Sequence, residues 1–251
     1  MWLLLSLNLL GKIVAVFLFR SAPLAAVAAW LGVDVLLAYH QLARRARGIV
    51  VMHQRFRPAG REVWLTIDDG PDPEDTPRIL AALAEHRARA TFFMIGANVA
   101  AHPDLARAVA AAGHEVANHT QSHLLGTFWC VPPWRVSREL DACTAALLAV
   151  GVRARRFRPP AGLRNIWLGH ALPKRGLDCI GWSARGLERR NRDPASVVDH
   201  VLRGLAPGAI LLLHEGPRVD PSVRVEAIRR VLARLEADGY ACVIPERDQL
   251  L

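Results

Sequence analysis

Short apolar runs alternate with amphipathic segments from Val63 onward, and this alternation constrains the fold more than any other feature of the sequence. Strands that alternate with helices along a chain form a parallel sheet covered by helices. The repeats are numerous enough to close a barrel. The pattern therefore predicts an α/β fold, an irregular (β/α)7-8 barrel, in which the carboxyl ends of the strands share one face.

The predicted strands are Val63–Ile67, Ala90–Ile95, His114–Asn118, Arg155–Arg158, Asp178–Trp182, Ala209–His214 and Tyr240–Ile244. Helices are predicted between them, near Pro77–Arg87, Pro103–Ala112, Ser137–Val150, Ile166–Leu172, Pro194–Leu205 and Ser222–Ala237. The segment RRFR at 155–158 is not apolar, and it is assigned as a strand from its place in the alternation. In the last helix the apolar residues recur at helical spacing.

The first forty residues form a separate, strongly apolar unit. Residues 1–19 are apolar except for Ser6, Asn8 and Lys12, and residues 22–39 are apolar except for Asp34. Each stretch is long enough to cross a hydrocarbon layer of about 30 Å as a helix. We therefore expect a membrane hairpin at 1–40, with Lys12 facing Asp34. The alternative is a single anchor or a cleaved signal peptide, although no basic region precedes the apolar run.

Composition and charge favour a membrane partner. Hydrophobic residues make up 52% of the 251 residues, and the formal net charge is +9. Such a charge favours an anionic partner, but no nucleic-acid motif accompanies it and aromatic residues are only 6% of the chain. We expect a membrane surface and no nucleic acid. The four cysteines show no CxxC spacing, so they predict neither a zinc motif nor a disulfide framework.

A basic segment follows the apolar unit. Six arginines lie between Gln41 and Arg61 with no acidic residue among them: Arg44, Arg45, Arg47, Arg55, Arg57 and Arg61. We interpret residues 41–60 as a juxtamembrane linker and residues 61–251 as the main domain. Because basic residues flank membrane helices on the cytoplasmic side, this domain is expected in the cytoplasm, with the opposite face of the membrane as the alternative.

Two adjacent carboxylates, Asp68 and Asp69, follow the first predicted strand in VWLTIDDGPDPEDTP. Asp-Gly-Pro also favours a plain turn. At the carboxyl end of a barrel strand, however, the pair lies where such folds place their chemistry. His119 and His123 follow the third strand in ANHTQSH, and a spacing of four puts both rings on one side of a helical turn. With Asp69 they predict a metal site, which leaves Asp68 free to take a proton from water.

Two further strand ends carry candidate groups. In FRPPAG, Arg158 can pair with a catalytic carboxylate, and Pro160, Ala161 and Gly162 form a loop whose N–H groups can face an oxyanion. The alternative is a rigid turn. In ILLLHEG, His214 ends the sixth strand, where it is either a buried core histidine or a general acid.

Together, these motifs resemble those of a known protein family. From about Arg61 to Ile244 the chain resembles the polysaccharide deacetylases of carbohydrate esterase family 4, the relatives of chitooligosaccharide deacetylase. TIDDGP, HTQSH, RPPAG and LLLH are similar to the first, second, third and fifth motifs of that family. The resemblance covers most of the main domain and preserves the order of the motifs.

The resemblance implies a role for each matching residue. Asp68 is the expected base, and His214 is the acid that protonates the leaving amine. Asp69, His119 and His123 are the expected ligands of a divalent metal, most commonly Zn2+, with Co2+, Ni2+ or Mn2+ as alternatives. Arg158 braces the base, and the remaining expected substrate-binding residues are Pro160, Ala161, Gly162, Trp182, Leu212 and Arg185.

Two positions depart from the family pattern. Ala161 replaces the usual aromatic residue, so the wall of the site is expected to be more open. Gly181 stands directly before Trp182, where an Asp that tunes the terminal histidine is expected. Without that anion the pKa of His214 should be lower than in the family, unless another acid substitutes. The basic run at 185–192 can bind an anionic group of the substrate, such as a lipid phosphate, or it is a solvated loop.

The implied function is metal-dependent hydrolysis that removes an N-acyl, most simply acetyl, group from a carbohydrate or glycolipid at a bacterial inner membrane. Asp68 is the base, a metal-bound water the nucleophile and His214 the acid. One alternative is a deformylase or deacetylase of a polyprenyl-linked sugar. The other is a metal-binding pseudoenzyme that acts as a membrane scaffold.

Overall fold

The computed structural model describes residues 2–42 and 49–251. Arg44, Arg45 and Arg47 of the expected linker lie outside the described residues. The helices are α1 Trp2–Leu18, α2 Pro23–Leu42, α3 Asp75–Glu85, α4 Gly96–Ala101, α5 Pro103–Ala111, α6 Pro133–Ala149, α7 Leu168–Ala171, α8 Pro194–Leu202 and α9 Arg224–Ala237. The strands are β1 Met52–His53, β2 Glu62–Asp68, β3 Ala90–Met94, β4 Glu115–Asn118, β5 Arg156–Phe157, β6 Asp178–Ile180, β7 Ala184–Arg185, β8 Ile210–His214 and β9 Ala241–Cys242.

The strands form one parallel sheet in the order β1-β6-β5-β4-β3-β2-β8-β7, and β9 pairs with the beginning of β2. The sheet curls into an irregular half-barrel with helices packed around its outside, which confirms the predicted fold class. All seven predicted strands are present, although several are shorter than the sequence pattern suggests. The predicted strand at 155–158 is reduced to the two residues of β5.

Three short elements were missed. β1 lies in the segment interpreted as a linker and pairs with β6, so this part of residues 41–60 belongs to the folded domain. β7 follows β6 after only three residues and pairs with β8. Strands of two residues have no detectable alternation of apolar and polar positions, because they contain a single two-residue period and nothing repeats. The third element, α4, is a helix of six residues.

The two-residue period of β2 sorts its side chains between two layers. Leu65 and Ile67 pack into the layer between the sheet and the outer helices. Trp64 points to the opposite side, into the barrel interior, and its indole N–H donates to Thr91 at 2.8 Å. The same alternation places Asp68 at the interior mouth of the barrel.

The last predicted helix is confirmed together with its apolar face. The residues of α9 that recur at helical spacing are all buried against the outside of the sheet: Val225, Ile228, Val231, Leu232 and Leu235. Buried apolar area of this kind contributes about 25 cal/mol per Å² to folding. The packed helices therefore hold the strands in the register on which the site depends.

The N-terminal helices α1 and α2 pack against each other, with a turn at 19–22 between them. Lys12 Nζ lies 3.3 Å from Asp34 Oδ2, which confirms the expected pairing of these two charges. Asn8 donates to Asp34 Oδ1 at 2.6 Å. Gly11 permits the close approach, since a side-chain carbon there would lie 2.5 Å from the carbonyl oxygen of Ala29.

Among the described residues, one helical stretch, Pro23–Gln41, is long and apolar enough to cross a membrane by length and composition. The apolar stretch of α1, Leu5–Leu18, is shorter. The end of α2 contacts the main domain. Gln41 Nε2 donates to the carbonyl of Trp129 at 3.1 Å, and its own carbonyl accepts from the Arg164 N–H at 3.4 Å. The apolar unit is therefore attached to loops that follow β4 and β5.

Candidate active site

The ends of β2 and β8 bring two of the predicted site residues together. Asp68 and His214 are directly opposite each other in the register of this parallel pair, and both point into the barrel mouth. Asp68 and Asp69 are only 3% and 5% exposed. They line a cavity of about 340 Å³ that also contains His119 and His123. The expectation that strand ends gather these groups is thus met.

Asp69 has an unusual backbone conformation. Its φ of 77° lies in the left-handed region, which costs free energy in a residue with a side chain and is seen most often at functional sites. Asn98 holds this turn by donating to the Asp69 carbonyl at 2.9 Å. The Ile95 N–H donates to the Gly70 carbonyl at 2.8 Å. The short helix α4, which includes Asn98, therefore helps to orient the Asp69 carboxylate.

His119 and His123 lie in an irregular loop, so the helical turn predicted for them is wrong. Thr120 and His123 have φ values of 68° and 47°, which a helix does not allow. The loop is instead held by Glu139 of α6, whose carboxylate accepts from two successive backbone N–H groups at 3.0 and 2.8 Å and from the Ser122 hydroxyl at 2.7 Å. These bonds bring both imidazoles to the cavity.

The three predicted metal ligands form one cluster. Asp69 Oδ1 lies 3.5 Å from His119 Nε2 and 3.2 Å from His123 Nε2, and one ligand atom from each residue fits within 4.8 Å of the others. His119 Nδ1 lies 2.8 Å from the Arg158 carbonyl oxygen. A carbonyl only accepts, so Nδ1 carries the proton and Nε2 presents a lone pair to the cluster.

This donor set fits a divalent metal. Asp69 Oδ1 is buried and has no hydrogen-bond partner among the described residues, which is unfavourable for a carboxylate oxygen unless a cation compensates it. Burial raises the pKa of Asp69, but the neighbouring imidazoles, His119 first, outweigh it and hold that pKa well below its usual range. Burial, with the neighbouring His119, lowers the pKa of His123 to about 3. Both ligands are therefore deprotonated at neutral pH, as metal binding requires.

Two arginines approach the same cluster. Arg189 Nη2 lies 3.2 Å from Asp69 Oδ2, and Arg218 Nη1 lies 4.0 Å from Asp69 Oδ1. Arg218 also contacts the Nδ1 atom of His123. Both side chains are more than one third exposed, at 36% and 37%. They supply positive charge to the Asp69 carboxylate.

Asp68 is fixed by a buried arginine, as the resemblance implies. Arg158 is fully buried and donates to Asp68 Oδ1 at 2.6 Å and to Thr66 at 2.8 Å. Two further N–H groups of Arg158 donate to the carbonyls of Ile180 and Gly181. Burial lowers the pKa of Arg158, and the charge of Asp68 opposes this. The fixed ion pair leaves Asp68 Oδ2, 3.7 Å from His119 Nε2, facing the cavity.

Glu188 replaces the anion that the sequence analysis expected at position 181. Its Oε1 atom lies 3.2 Å from His214 Nδ1 and accepts from the His214 N–H at 3.0 Å. Burial lowers the pKa of His214, but the charge and hydrogen bond of Glu188, aided by Asp68 and Asp69, raise it to about 9. The loss of stabilisation inferred from Gly181 therefore does not occur.

The third motif forms a tight turn at one wall of the cavity. Ala161 has a φ of 56°, and both Ala161 and Gly162 line the cavity. Gly162 packs against Trp182, where a side-chain carbon would lie 2.3 Å from the indole ring. Pro160 is buried behind this wall and shapes the turn. Trp182, Leu212 and Arg185, the other residues expected to bind substrate, also line the cavity.

Comparisons with known proteins agree with this geometry. The family model described as polysaccharide deacetylase matches residues 57–179. A chitooligosaccharide deacetylase of Bradyrhizobium sp. (strain ANU 289) is 40% identical over 161 residues, which cover 62% of this chain and 71% of that protein. The chain belongs to the polysaccharide deacetylase family.

The polysaccharide deacetylase relationship extends to other bacterial proteins and to solved structures. A peptidoglycan-N-acetylglucosamine deacetylase of Bacillus cereus is 31% identical over 214 residues, which cover 77% of this chain and 95% of the relative. A family 4 carbohydrate esterase from Streptomyces lividans, solved in complex with acetate, superposes with a TM-score of 0.68. It is 30% identical, and the match covers 76% of this chain and 96% of that structure. As a member of this family, the chain is a hydrolase of carbohydrate esterase family 4.

Sequence reasoning missed Glu188, the partner of His214. A usable signal was present, because Glu188 is the only acid within the basic run from Arg185 to Arg192. A carboxylate retained among so many cations suggests a specific partner. Glu139, which holds the loop of His119 and His123, also lies outside the motifs. It is within a predicted helix, and nothing in the surrounding sequence marks it as part of the site.

Proposed function

We propose that this chain is a metal-dependent N-deacetylase that acts on an acetylated amino sugar within a carbohydrate or glycolipid. The observation that carries the proposal is the convergence of an orphaned Asp69 oxygen and two imidazole nitrogens beside Asp68 and His214. A deacetylase needs a cation to polarise the acyl group, a base for water and an acid for the amine. In this proposal Asp69, His119 and His123 would hold the cation, Asp68 would be the base and His214 the acid.

Asp69, His119 and His123 would hold the metal. Two imidazoles and one carboxylate are a set that Zn2+ accepts in catalytic sites, with Co2+, Ni2+ and Mn2+ as alternatives. When bound, such an ion supplies Lewis-acid polarisation of the acyl carbonyl and lowers the pKa of a water molecule towards about 7.

Asp68 is the proposed base. Its Oδ1 atom is occupied by Arg158 at 2.6 Å, so the proton from the attacking water goes to Oδ2. The ion pair keeps the Asp68 carboxylate charged and fixes its direction. Arg158 also donates to Thr66 and to two backbone carbonyls, and these bonds hold the guanidinium in place. Arg158 is thus a positioning residue.

The turn at 160–162 and the interior residues around it would hold the acyl group. The Gly162 N–H already donates to the Pro159 carbonyl at 2.9 Å, which makes the Ala161 N–H the candidate donor to the oxyanion. Leu212 and Trp182 provide apolar surface for the methyl group.

His214 is the proposed acid. With a pKa of about 9 it is protonated at neutral pH and can give its proton to the leaving nitrogen as the C–N bond breaks. Glu188 holds Nδ1, so the proton on Nε2 is the one available to the substrate. A pseudoenzyme scaffold would be free to lose either the base or the acid, and this chain retains both.

We further propose that α1 and α2 anchor the chain in a bacterial inner membrane, with residues 61–251 at the cytoplasmic face. The basic residues after α2 and the Lys12–Asp34 pair within the apolar unit support this arrangement. A reporter that is active only in the cytoplasm should be active when it is fused after Leu251, whereas a reporter that is active only after export should be inactive there. Activity of an exported reporter would instead place the domain at the periplasmic face.

Acetate release from N-acetylated chitooligosaccharides and simple acetylated amino sugars tests the activity. Full-length protein stripped by a chelator should be inactive and should recover when Zn2+ is restored. Asp68→Asn should retain the metal and lose turnover by about 10²-fold or more, because the base is removed without disturbing the ligands. Full activity of Asp68→Asn would refute the assignment of the base, and equal acetate release with and without metal would refute the proposed function.

A further inference from the structure

A group of arginines lines the active-site cavity without a role in the proposed reaction. We call Arg185, Arg189 and Arg190 the cavity arginines; all three are on the segment that begins with β7 and all three line the cavity beside Asp68 and Asp69. Within residues 2–42 and 49–251, the Arg190 side chain makes no hydrogen bond or ion pair. The segment is held in an irregular conformation, since Leu187 has a φ of 57°.

Each of the three acids of the cavity has a partner other than Arg185 and Arg190. Asp68 is paired with the buried Arg158 at 2.6 Å, and Glu188 is paired with His214 at 3.2 Å. The third acid, Asp69, faces two imidazoles and would be neutralised by a metal ion, which would also release Arg189 from its contact at 3.2 Å. The cavity therefore has an excess of positive charge, and it would attract an anionic group.

The same cavity lies close to the end of the apolar helix α2. Leu125, which lines the cavity, and Trp129, whose carbonyl accepts from Gln41 of α2 at 3.1 Å, are on the one loop that follows β4. Leu125 and Trp129 are 37% and 36% exposed, and Trp134 just beyond them is 74% exposed. Tryptophan beside a membrane helix is typical of the lipid–water interface. The loop after β4 therefore contributes both to the cavity wall and to the contact with the end of α2.

We propose that the substrate is an acylated amino sugar joined through a phosphate to a membrane lipid, with the phosphate bound by the cavity arginines and the lipid chain remaining in the bilayer into which α2 leads. Guanidinium groups bind phosphate oxygens with paired, charge-assisted hydrogen bonds, which suits this role. A neutral oligosaccharide in solution would use neither the arginines nor the position of the cavity beside the anchor.

This inference rests on the proposed deacetylase function and keeps its chemistry. Water adds to the acyl carbon, the amide C–N bond breaks, and acetate and a free amine are released. The phosphate ester is not cleaved. The phosphate and the lipid serve for recognition, so their effect should fall mainly on KM.

The test compares three substrates with the zinc-loaded, full-length protein in detergent micelles. The first is N-acetylglucosamine 1-phosphate esterified with a dodecyl chain. The second is dodecyl N-acetylglucosaminide, which has the lipid without the phosphate, and the third is N-acetylglucosamine 1-phosphate, which has the phosphate without the lipid. The first should have the highest kcat/KM, at least about tenfold above each of the others, and added salt should reduce its advantage over the second.

The double variant Arg185→Gln/Arg190→Gln tests the arginines. It should lower the ratio of kcat/KM for the dodecyl phosphate substrate to that for the dodecyl glycoside by about tenfold, because two partly exposed charge-assisted contacts are lost. Arg153→Gln is the matched control. Arg153 is also exposed, but it precedes β5 at the opposite end of the sheet, and its loss should leave the ratio unchanged.

The outcomes separate this inference from the function itself. If the dodecyl glycoside is hydrolysed as well as the dodecyl phosphate substrate, or if the double variant leaves their ratio unchanged, the phosphate assignment is overturned while the deacetylase function stands. If the free sugar phosphate is used as well as the lipid-linked one, the assignment to a membrane lipid is overturned. If no acetylated amino sugar is hydrolysed by the zinc-loaded protein, the proposed function itself fails.

Discussion

Replacement of Glu188 by Gln removes the charge beside His214 and keeps the shape of the side chain. The Gln carbonyl oxygen can still accept from the His214 backbone N–H and from Nδ1, as the Glu188 carboxylate does at 3.0 and 3.2 Å. Only the negative charge is lost. The expected effect is therefore on the protonation of His214 and not on the arrangement of the cavity.

The size of the expected change in the pKa of His214 is worked out from its pKa of about 9 in the native site. A carboxylate at hydrogen-bonding distance raises a histidine pKa by about 1 to 3. In the variant the pKa should therefore fall to between about 6 and 8. The acid must be protonated, so activity is full below this pKa and is lost as the pH rises through it. With a variant pKa near 7, about a tenth of the enzyme would retain its acid at pH 8, against about nine tenths in the native protein.

The assay is kcat for acetate release between pH 5.5 and about 10, with zinc held in excess. The alkaline limb should move from near pH 9 to between about pH 6 and 8, and the two proteins should differ little at pH 5.5. Glu226→Gln, a change of a half-buried side chain that pairs with Arg230 on α9, should keep the native profile. An alkaline limb that stays near pH 9 in Glu188→Gln would show that Glu188 does not set the pKa of the acid.

Three further predictions concern the supports of the site. Arg158→Gln leaves a buried carboxylate without its cation, so the free energy of unfolding in a denaturant titration should fall by about 3–5 kcal/mol; a loss under 1 kcal/mol would contradict the pairing seen at 2.6 Å. Gly162→Ala should lower both stability, by about 1–3 kcal/mol, and kcat/KM, because the new methyl group meets Trp182. Gly113→Ala is its control, since Gly113 also has a positive φ but has open space around it. The difference between the two losses in free energy of unfolding should therefore equal the cost of the contact with Trp182. Glu139→Gln should weaken zinc affinity by about tenfold in a competition titration, because it loosens the loop that carries both histidines, and unchanged affinity would remove Glu139 from the site.

Most of the candidate site could be predicted because its residues lie at the ends of strands. Asp68 and His214 each follow an apolar run, and the parallel register then brings them together without any further information. The pairing of Arg158 with Asp68 follows in the same way from the end of β5. The rule that parallel strands present their carboxyl ends at one edge carried this part of the prediction.

The details that depend on loops could not be predicted. The spacing of His119 and His123 predicts a helical turn, but both rings reach the cavity through a loop with positive φ values that Glu139 supports. Glu188 reaches His214 across an irregular segment after β7, so no periodic pattern connects them. Strand and helix periods specify where an element points, whereas a loop conformation depends on tertiary hydrogen bonds that the sequence pattern does not reveal.

The central claim is a metal ion held by Asp69, His119 and His123, and metal stoichiometry measures it most directly. Chelator-treated full-length protein, titrated with Zn2+ in a calorimeter and analysed for bound metal after dialysis, should bind a single high-affinity ion. Asp68→Asn should bind it as well as the native protein, because Asp68 is paired with Arg158 outside the ligand set. Asp69→Ala should lose it. Equal zinc binding by Asp69→Ala and the native protein would contradict the account.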